Sequence, residues 1–183
     1  MPSSSHSGPE RFPVLSHDEM TAEQRDAAAS MLAGPRKDLG GPFHAWLRSP
    51  QTAMRIAALG EHLRFKAPFR RDIKELAVLI TARYCNSDYE WRAHKPWALE
   101  AGVPPETIDA IEAGQRPFSM RADHAAIYDF CTQLHRDKAV DDAAFAAARD
   151  VLGEAGLIDL IVLCGLYTAI AMTLGVARVK PPV

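Results

Sequence analysis

Apolar residues recur along this chain at helical spacing, and the two-residue alternation of a half-buried strand appears nowhere. Ala53, Ile56, Ala57 and Leu63 fall near one face of a helix that Ser49-Pro50 starts, that reaches about Phe65, and that Pro68 follows. From Asp72 to Tyr84 the sequence is almost continuously apolar after Glu75, as a central helix surrounded by others requires. A further helical pattern runs from Ser87 to Glu100 and stops at Gly102-Val-Pro-Pro. Upstream, Thr21 and Gln24 form a capping box ahead of an Ala-rich helix that stops at Gly34-Pro35, and Pro42 to Arg48 reads as a short helix or turn. Downstream, a short helix runs from Pro105 to near Gly114, and amphipathic helices cover Ala122 to Arg136 and Asp141 to Val151.

The last element is different in kind. Leu160 to Ala177 is an uncharged run close to the length of a membrane span. Asp159 just ahead of it, the lack of interfacial aromatic anchors and the amphipathic helices elsewhere favour a buried helix, apolar all round because it packs in a core or against other subunits. The expectation is an all-α fold with one helical domain over 17–183. Before it, residues 1–16 are rich in Ser and Pro and form a loosely ordered arm or a segment that folds against a partner subunit.

Length and charge narrow the class. A chain of 183 residues supports one domain with a hydrophobic core, and a formal net charge of -2 leaves no broad cationic surface for nucleic acid. The three cysteines, Cys85, Cys131 and Cys164, are widely spaced, which suits a reducing compartment rather than a disulfide framework. The N-terminus has no basic start followed by an apolar stretch, so a cytoplasmic location is expected. There is no repeat, Gly-rich phosphate loop or metal-binding motif, and neither a cofactor nor a resident metal is expected.

Chemistry is concentrated between Lys74 and His94. Ser87, Glu90 and His94 are spaced three and four apart, so on a helix they share a face, and a carboxylate beside an imidazole is a proton-transfer pair. Glu75 immediately precedes an apolar stretch, so its buried carboxylate must find a partner. A hairpin around Cys85-Asn86 would bring Glu75 level with His94, where the acid could fix the ring's tautomer. Tyr89 and Trp91 flank the pair as apolar walls, while Phe43, His44 and Arg83 are further candidates for lining a pocket or holding a substrate carboxylate. Glu75, Glu90 and His94 would have to combine across helices for any metal to bind. Of the other histidines, His6 and His17 lie in or near the arm, and His62, His124 and His135 sit singly on amphipathic helices, where surface or capping roles suffice.

Glu75, Tyr89-Glu90-Trp91 and His94 together resemble the core motif of carboxymuconolactone decarboxylases and alkylhydroperoxidase D (AhpD)-like proteins. The resemblance extends to Gly41-Pro42-Phe43, to Arg48-Ser49-Pro50 and to Leu163–Met172, which is similar to the family's closing helix. It implies an all-α AhpD-like fold assembled as a trimer or hexamer, with a site near a subunit interface. In the family's peroxidase branch a Cys-x-x-Cys pair lies between the glutamate and the histidine. Here Ser87 and Glu90 stand at those places, and Cys85 is two residues too early. The resemblance therefore implies the cofactor-independent branch, a lyase acting on a small carboxylated lactone or related acid, with Glu90 and His94 moving the proton and Glu75 orienting His94. Two alternatives stay open: a peroxidase using Cys85 with an external thiol, and a non-catalytic oligomeric binding protein.

Overall fold

Thr21 caps the first helix reciprocally, its side chain accepting from the Gln24 amide at 3.2 Å while the Gln24 side chain accepts from the Thr21 amide at 2.9 Å. A computed structural model of the protein describes residues 8–34 and 38–182. Residues 1–7 of the expected arm and Pro35 lie outside them. In chain order the helices are α1 (Ala22–Leu32), α2 (Phe43–Trp46), α3 (Pro50–Glu61), α4 (Arg71–Tyr84), α5 (Asp88–Glu100), α6 (Pro105–Glu112), α7 (Ala122–Asp137) and α8 (Asp142–Ala177). Among the described residues there is no strand. Beyond α3 the helix widens into a π-helical stretch, His62–Lys66, that keeps Leu63 buried and Phe65 exposed. The two helices expected over Asp141–Val151 and Leu160–Ala177 are one element, α8, broken at Gly153, whose φ of 69° needs a residue without a Cβ.

The chain divides into two compact units, one made of Met1–Lys66 with Met172–Lys180 and the other mainly of Ala67–Ala171. The boundary falls inside α8 because the end of that helix is held by the first unit. Thr173 Oγ1 accepts from Trp46 Nε1 at 3.1 Å, and the Ala177 carbonyl accepts from the Arg11 amide at 2.9 Å. The described part of the N-terminal arm is thereby fastened, with Arg48 also donating to the Pro13 carbonyl at 2.6 Å. The first unit's core is formed by Ala27, Ala28, Met31, Phe43, Leu47 and Ala53.

In the second unit α4 is the central helix. Ile73 and the run from Leu76 to Ile80 are each at most 1% exposed, so the continuous apolar run is buried on every side. By length and composition α8 could cross a membrane, yet 44% of its most apolar stretch is buried within the structure. Leu157, Leu160, Leu163 and Tyr167 are on the covered side, while Ile158 and Ile161 are exposed.

The start of α4 is tied to the start of α7 by a buried ion network. Asp72 accepts from Arg70 Nη2 and Arg121 Nη2, both at 2.9 Å, from His124 Nε2 at 3.0 Å and from the Ile73 amide at 2.9 Å. Burial alone would raise the Asp72 pKa, but the hydrogen bonds from Arg70, His124 and Arg121 outweigh it and hold the carboxyl well below its ordinary value. His124, expected to serve at the surface, is 1% exposed inside this network. Because the folded-state pKa is depressed, the stabilisation is complete above the ordinary value of 3.8 and is lost as the pH falls below it. Asp72→Asn is expected to cost about 2–3 kcal/mol at neutral pH and to flatten the acid limb of stability in urea titrations between pH 2 and pH 5.

Candidate functional site

The site is built on the turn between α4 and α5. Asn86 takes the left-handed conformation, φ 50°, and the chain closes on α4 with the Ser87 amide donating to the Ala82 carbonyl at 2.9 Å and the Asn86 amide to the Arg83 carbonyl at 3.2 Å. This is the Schellman arrangement, with asparagine where glycine is the commoner choice. Ser87 then caps α5, its hydroxyl oxygen accepting from the Glu90 amide at 3.4 Å. One residue thus finishes the closure of α4 and begins α5, and the two helices run antiparallel.

That hairpin brings Glu75 of α4 against His94 of α5. Glu75 Oε2 lies 2.6 Å from His94 Nδ1, and Glu90 Oε2 lies 3.4 Å from His94 Nε2. The three residues are 3–5% exposed. On the far side of Glu75, Lys74 Nζ approaches Oε1 at 3.8 Å. Counted in ordinary ionised forms, Lys74, Glu75, a protonated His94 and Glu90 alternate in sign and sum to zero, which is how a buried string of charges is tolerated. The rings of Trp97 and Tyr167 stand edge-on to the His94 ring at 4.8 and 5.1 Å, confining it from two sides.

Burial would lower the His94 pKa, but hydrogen bonds to Glu75 and Glu90 outweigh it, and the net direction is upward. The two contacts differ in strength. The short one holds Nδ1 as donor to Glu75 and fixes the ring, whereas the long one leaves the Nε2 proton loosely held opposite Glu90. Chemically this is an oriented imidazole beside a carboxylate in a water-poor setting, equipped to give and take a proton.

The other sequence candidates are distributed as follows. Ser87 spends its oxygen on the cap. Tyr89 and Trp91 are half-buried on α5, and Trp91 Nε1 is buried without a hydrogen-bond partner. Arg83 is committed elsewhere, donating to the Glu112 carbonyl at 3.0 Å and to Asn86 Oδ1 at 3.3 Å. Phe43 and His44 belong to α2, in the first unit; Phe43 is buried in that unit's core and the His44 pKa is lowered by burial and by Arg48. The Cys85 thiol, half-buried at the end of α4, donates to Thr168 Oγ1 at 3.8 Å, and burial pushes its pKa up, the opposite of an activated nucleophile. Among the described residues no group of three or more His, Cys, Asp or Glu is arranged to hold a metal ion; in the trio the carboxylates address the ring nitrogens themselves. Sequence reading gave no role to Lys74, Trp97 or Tyr167, although Lys74 opens the segment singled out for its chemistry and Tyr167 lies inside the Leu163–Met172 segment.

No protein-family description and no curated protein sequence matches the chain. Solved structures do. An uncharacterised peroxidase-related protein from Ralstonia eutropha JMP134, described as an alkylhydroperoxidase AhpD core, superposes with a TM-score of 0.76 over 96% of this chain and 94% of that one, at 16% identity. The chain has the AhpD-like fold. A protein of unknown function from Agrobacterium tumefaciens, described as a candidate antioxidant-defence protein AhpD, matches with a TM-score of 0.65 over 76% of this chain and 96% of its own, at 13% identity. At these identities the AhpD-like likeness is one of fold, and the chemistry has to be read from the site.

Because the folded-state pKa of His94 is raised, the stability it contributes is complete below the ordinary 6.5 and is lost as the pH rises through the folded value. Glu75→Gln is expected to lower that value and to shrink the loss of stability above pH 6.5, checked by NMR titration of ring-labelled histidine alongside urea unfolding at several pH values.

Proposed function

We propose that this protein is a cofactor-independent lyase or isomerase acting on a small carboxylated lactone or related acid. The observation that carries the reading is His94, clamped at Nδ1 by Glu75 at 2.6 Å and facing Glu90 at Nε2 across 3.4 Å. Loss of carbon dioxide from a lactone acid leaves an electron pair that the unsaturated carbonyl takes up as enolate-like charge, and a proton must then be returned to carbon. The raised pKa keeps a proton on His94 for that step, Glu90 shares it, and Glu75 positions the ring. The orphan indole N–H of Trp91 adds a donor for a substrate carboxylate or carbonyl, and satisfying it recovers the roughly 1–3 kcal/mol an unpaired buried donor costs.

The names of the two structural neighbours favour a peroxide-reducing reading instead. Against it, the places of the peroxidase thiols are held by Ser87, a helix cap, and Glu90, a partner of His94, and the Cys85 thiol is made less acidic by burial. The non-catalytic alternative gives no role to Glu90, a second buried carboxylate set against the outer nitrogen of His94. Self-association belongs to the same proposal, because a second copy would cover Ile158 and Ile161 on the exposed side of α8. Light scattering on the eluting protein should then show a multimer, and a monomer would remove that part.

Carboxymuconolactone decarboxylation followed by ultraviolet absorbance is the direct test. Glu90→Gln and His94→Ala should each lower kcat about 10²- to 10⁴-fold in folded protein, as loss of a positioned proton donor does. Glu75→Gln should instead shift the pH profile. Wild-type protein that does not turn this substrate over would reject it and send the search to related lactones.

A further inference from the structure

Two of the three cysteines, far apart in sequence, meet in the second unit. α7 carries Cys131 and His135 one turn apart, and α8 carries Cys164 and Thr168 one turn apart. Cys131 Sγ and Cys164 Sγ lie 3.8 Å from each other, both thiols free and both residues at most 2% exposed. Two buried cysteines in contact are usually apolar filling. The surroundings here are not apolar. His135 Nε2 lies 2.8 Å from Thr81 Oγ1, and since the Thr81 hydroxyl donates to the Ala77 carbonyl at 2.8 Å, the imidazole N–H donates to Thr81. Thr168 donates to the Cys164 carbonyl at 2.8 Å. The half-buried His135 ring stacks on Tyr84 at 5.4 Å, and Tyr84 is 43% exposed.

The two thiols are not equivalent. The contact with Cys131 draws the Cys164 pKa below its ordinary value against the opposing effect of burial, and His135 acts in the same direction. The same contact, with burial, pushes Cys131 up. An acidic sulfur touching a protonated one supplies a nucleophile and a resolving thiol.

We infer that Cys131 and Cys164, served by His135, form an oxidation site separate from the Glu75–His94–Glu90 trio, at which hydrogen peroxide converts the pair into an intramolecular disulfide joining α7 to α8. Cys164 gives its proton to the His135 ring and attacks one peroxide oxygen, the O–O bond breaks, and the ring passes that proton to the departing hydroxide, which leaves as water. Cys164 is then a sulfenic acid. Cys131 attacks that sulfur, the S–O bond breaks, and the oxygen departs as a second water carrying the Cys131 proton. One peroxide is reduced, two thiols are oxidised, and an external thiol reverses the step by exchange. From 3.8 Å to the bonded ~2.05 Å the sulfurs close by about 1.8 Å, on the scale of a side-chain rotation. With so little surface exposed, only a small oxidant reaches them.

The test uses the full chain, reduced, desalted and treated with one equivalent of hydrogen peroxide, then alkylated in denaturant and mapped by mass spectrometry. Expected are a loss of two hydrogens from the intact mass, a fall from three free thiols to one, and a linked Cys131–Cys164 peptide with Cys85 as the free thiol. The oxidised form should show a higher Tm, since the bond joins residues 33 apart, and dithiothreitol should reverse both changes. Cys85→Ser should form the same link, and His135→Gln should form it several-fold more slowly. Recovery of Cys131 and Cys164 both alkylated, or oxidation confined to Cys85, would overturn the assignment in wild-type protein without reliance on any variant.

Discussion

The contact between Glu75 and His94 fixes the register of the second unit. A carboxylate set at the head of the run Leu76–Ile80 is carried into the interior with that run, and leaving it without its partner would cost about 3–5 kcal/mol. Only one alignment of α5 against α4 supplies the partner. A slip by one helical turn would set Glu75 level with Glu90 or Ala98 in place of His94, a like charge or an apolar side chain, and leave His94 with one acid instead of two. The left-handed Asn86 and the Ser87 cap make that alignment locally cheap, so the turn and the buried pair specify the same structure.

The register also separates two kinds of chemistry. Glu75 and Thr81 stand six residues apart on α4, on different faces at 100° per residue, one paired with α5 and the other with α7. Toward α5 the helix offers a carboxylate that orients an imidazole. Toward α7 it offers a hydroxyl that accepts from another imidazole beside two sulfurs. One buried helix therefore supports a centre suited to moving protons and a centre suited to moving electron pairs, with no residue in common.

Much of this was legible in the sequence. Helix ends were readable wherever a local signal set them, as at Thr21, Ser49-Pro50 and Gly102, because capping acts over three or four residues. The Glu75–His94 contact was legible as well, since an acid ahead of an apolar run and a histidine beyond a short turn are both features of the linear chain. What was hidden depends on helices distant in sequence. Nothing in the spacing of His124, His135, Cys131 or Cys164 tells that Asp72 or Thr81 will face them, so these residues read as surface histidines and scattered thiols. The division of the chain was hidden for the same reason, because Trp46 and Thr173 meet only after folding.

The AhpD-like fold does not by itself set a reaction, and the proposed function rests on the residues of the site. A thiol pair in the α4–α5 hairpin would place reducing electrons beside His94. Ser87 and Glu90 hold no such electrons: one oxygen caps a helix and the other is a carboxylate against the imidazole. On the proposed function the hairpin orients and charges His94, and the one thiol left in it, Cys85, has its pKa raised by burial. The inferred disulfide site lies with Cys131 and Cys164, where α7 and α8 rather than a single helical turn bring the thiols together. Two thiols on one helical turn stay adjacent whatever the packing, whereas two on separate helices stay adjacent only while those helices are packed. Oxidation at that place would therefore report on the integrity of the unit and strengthen it, a coupling that a pair within one helical turn does not provide.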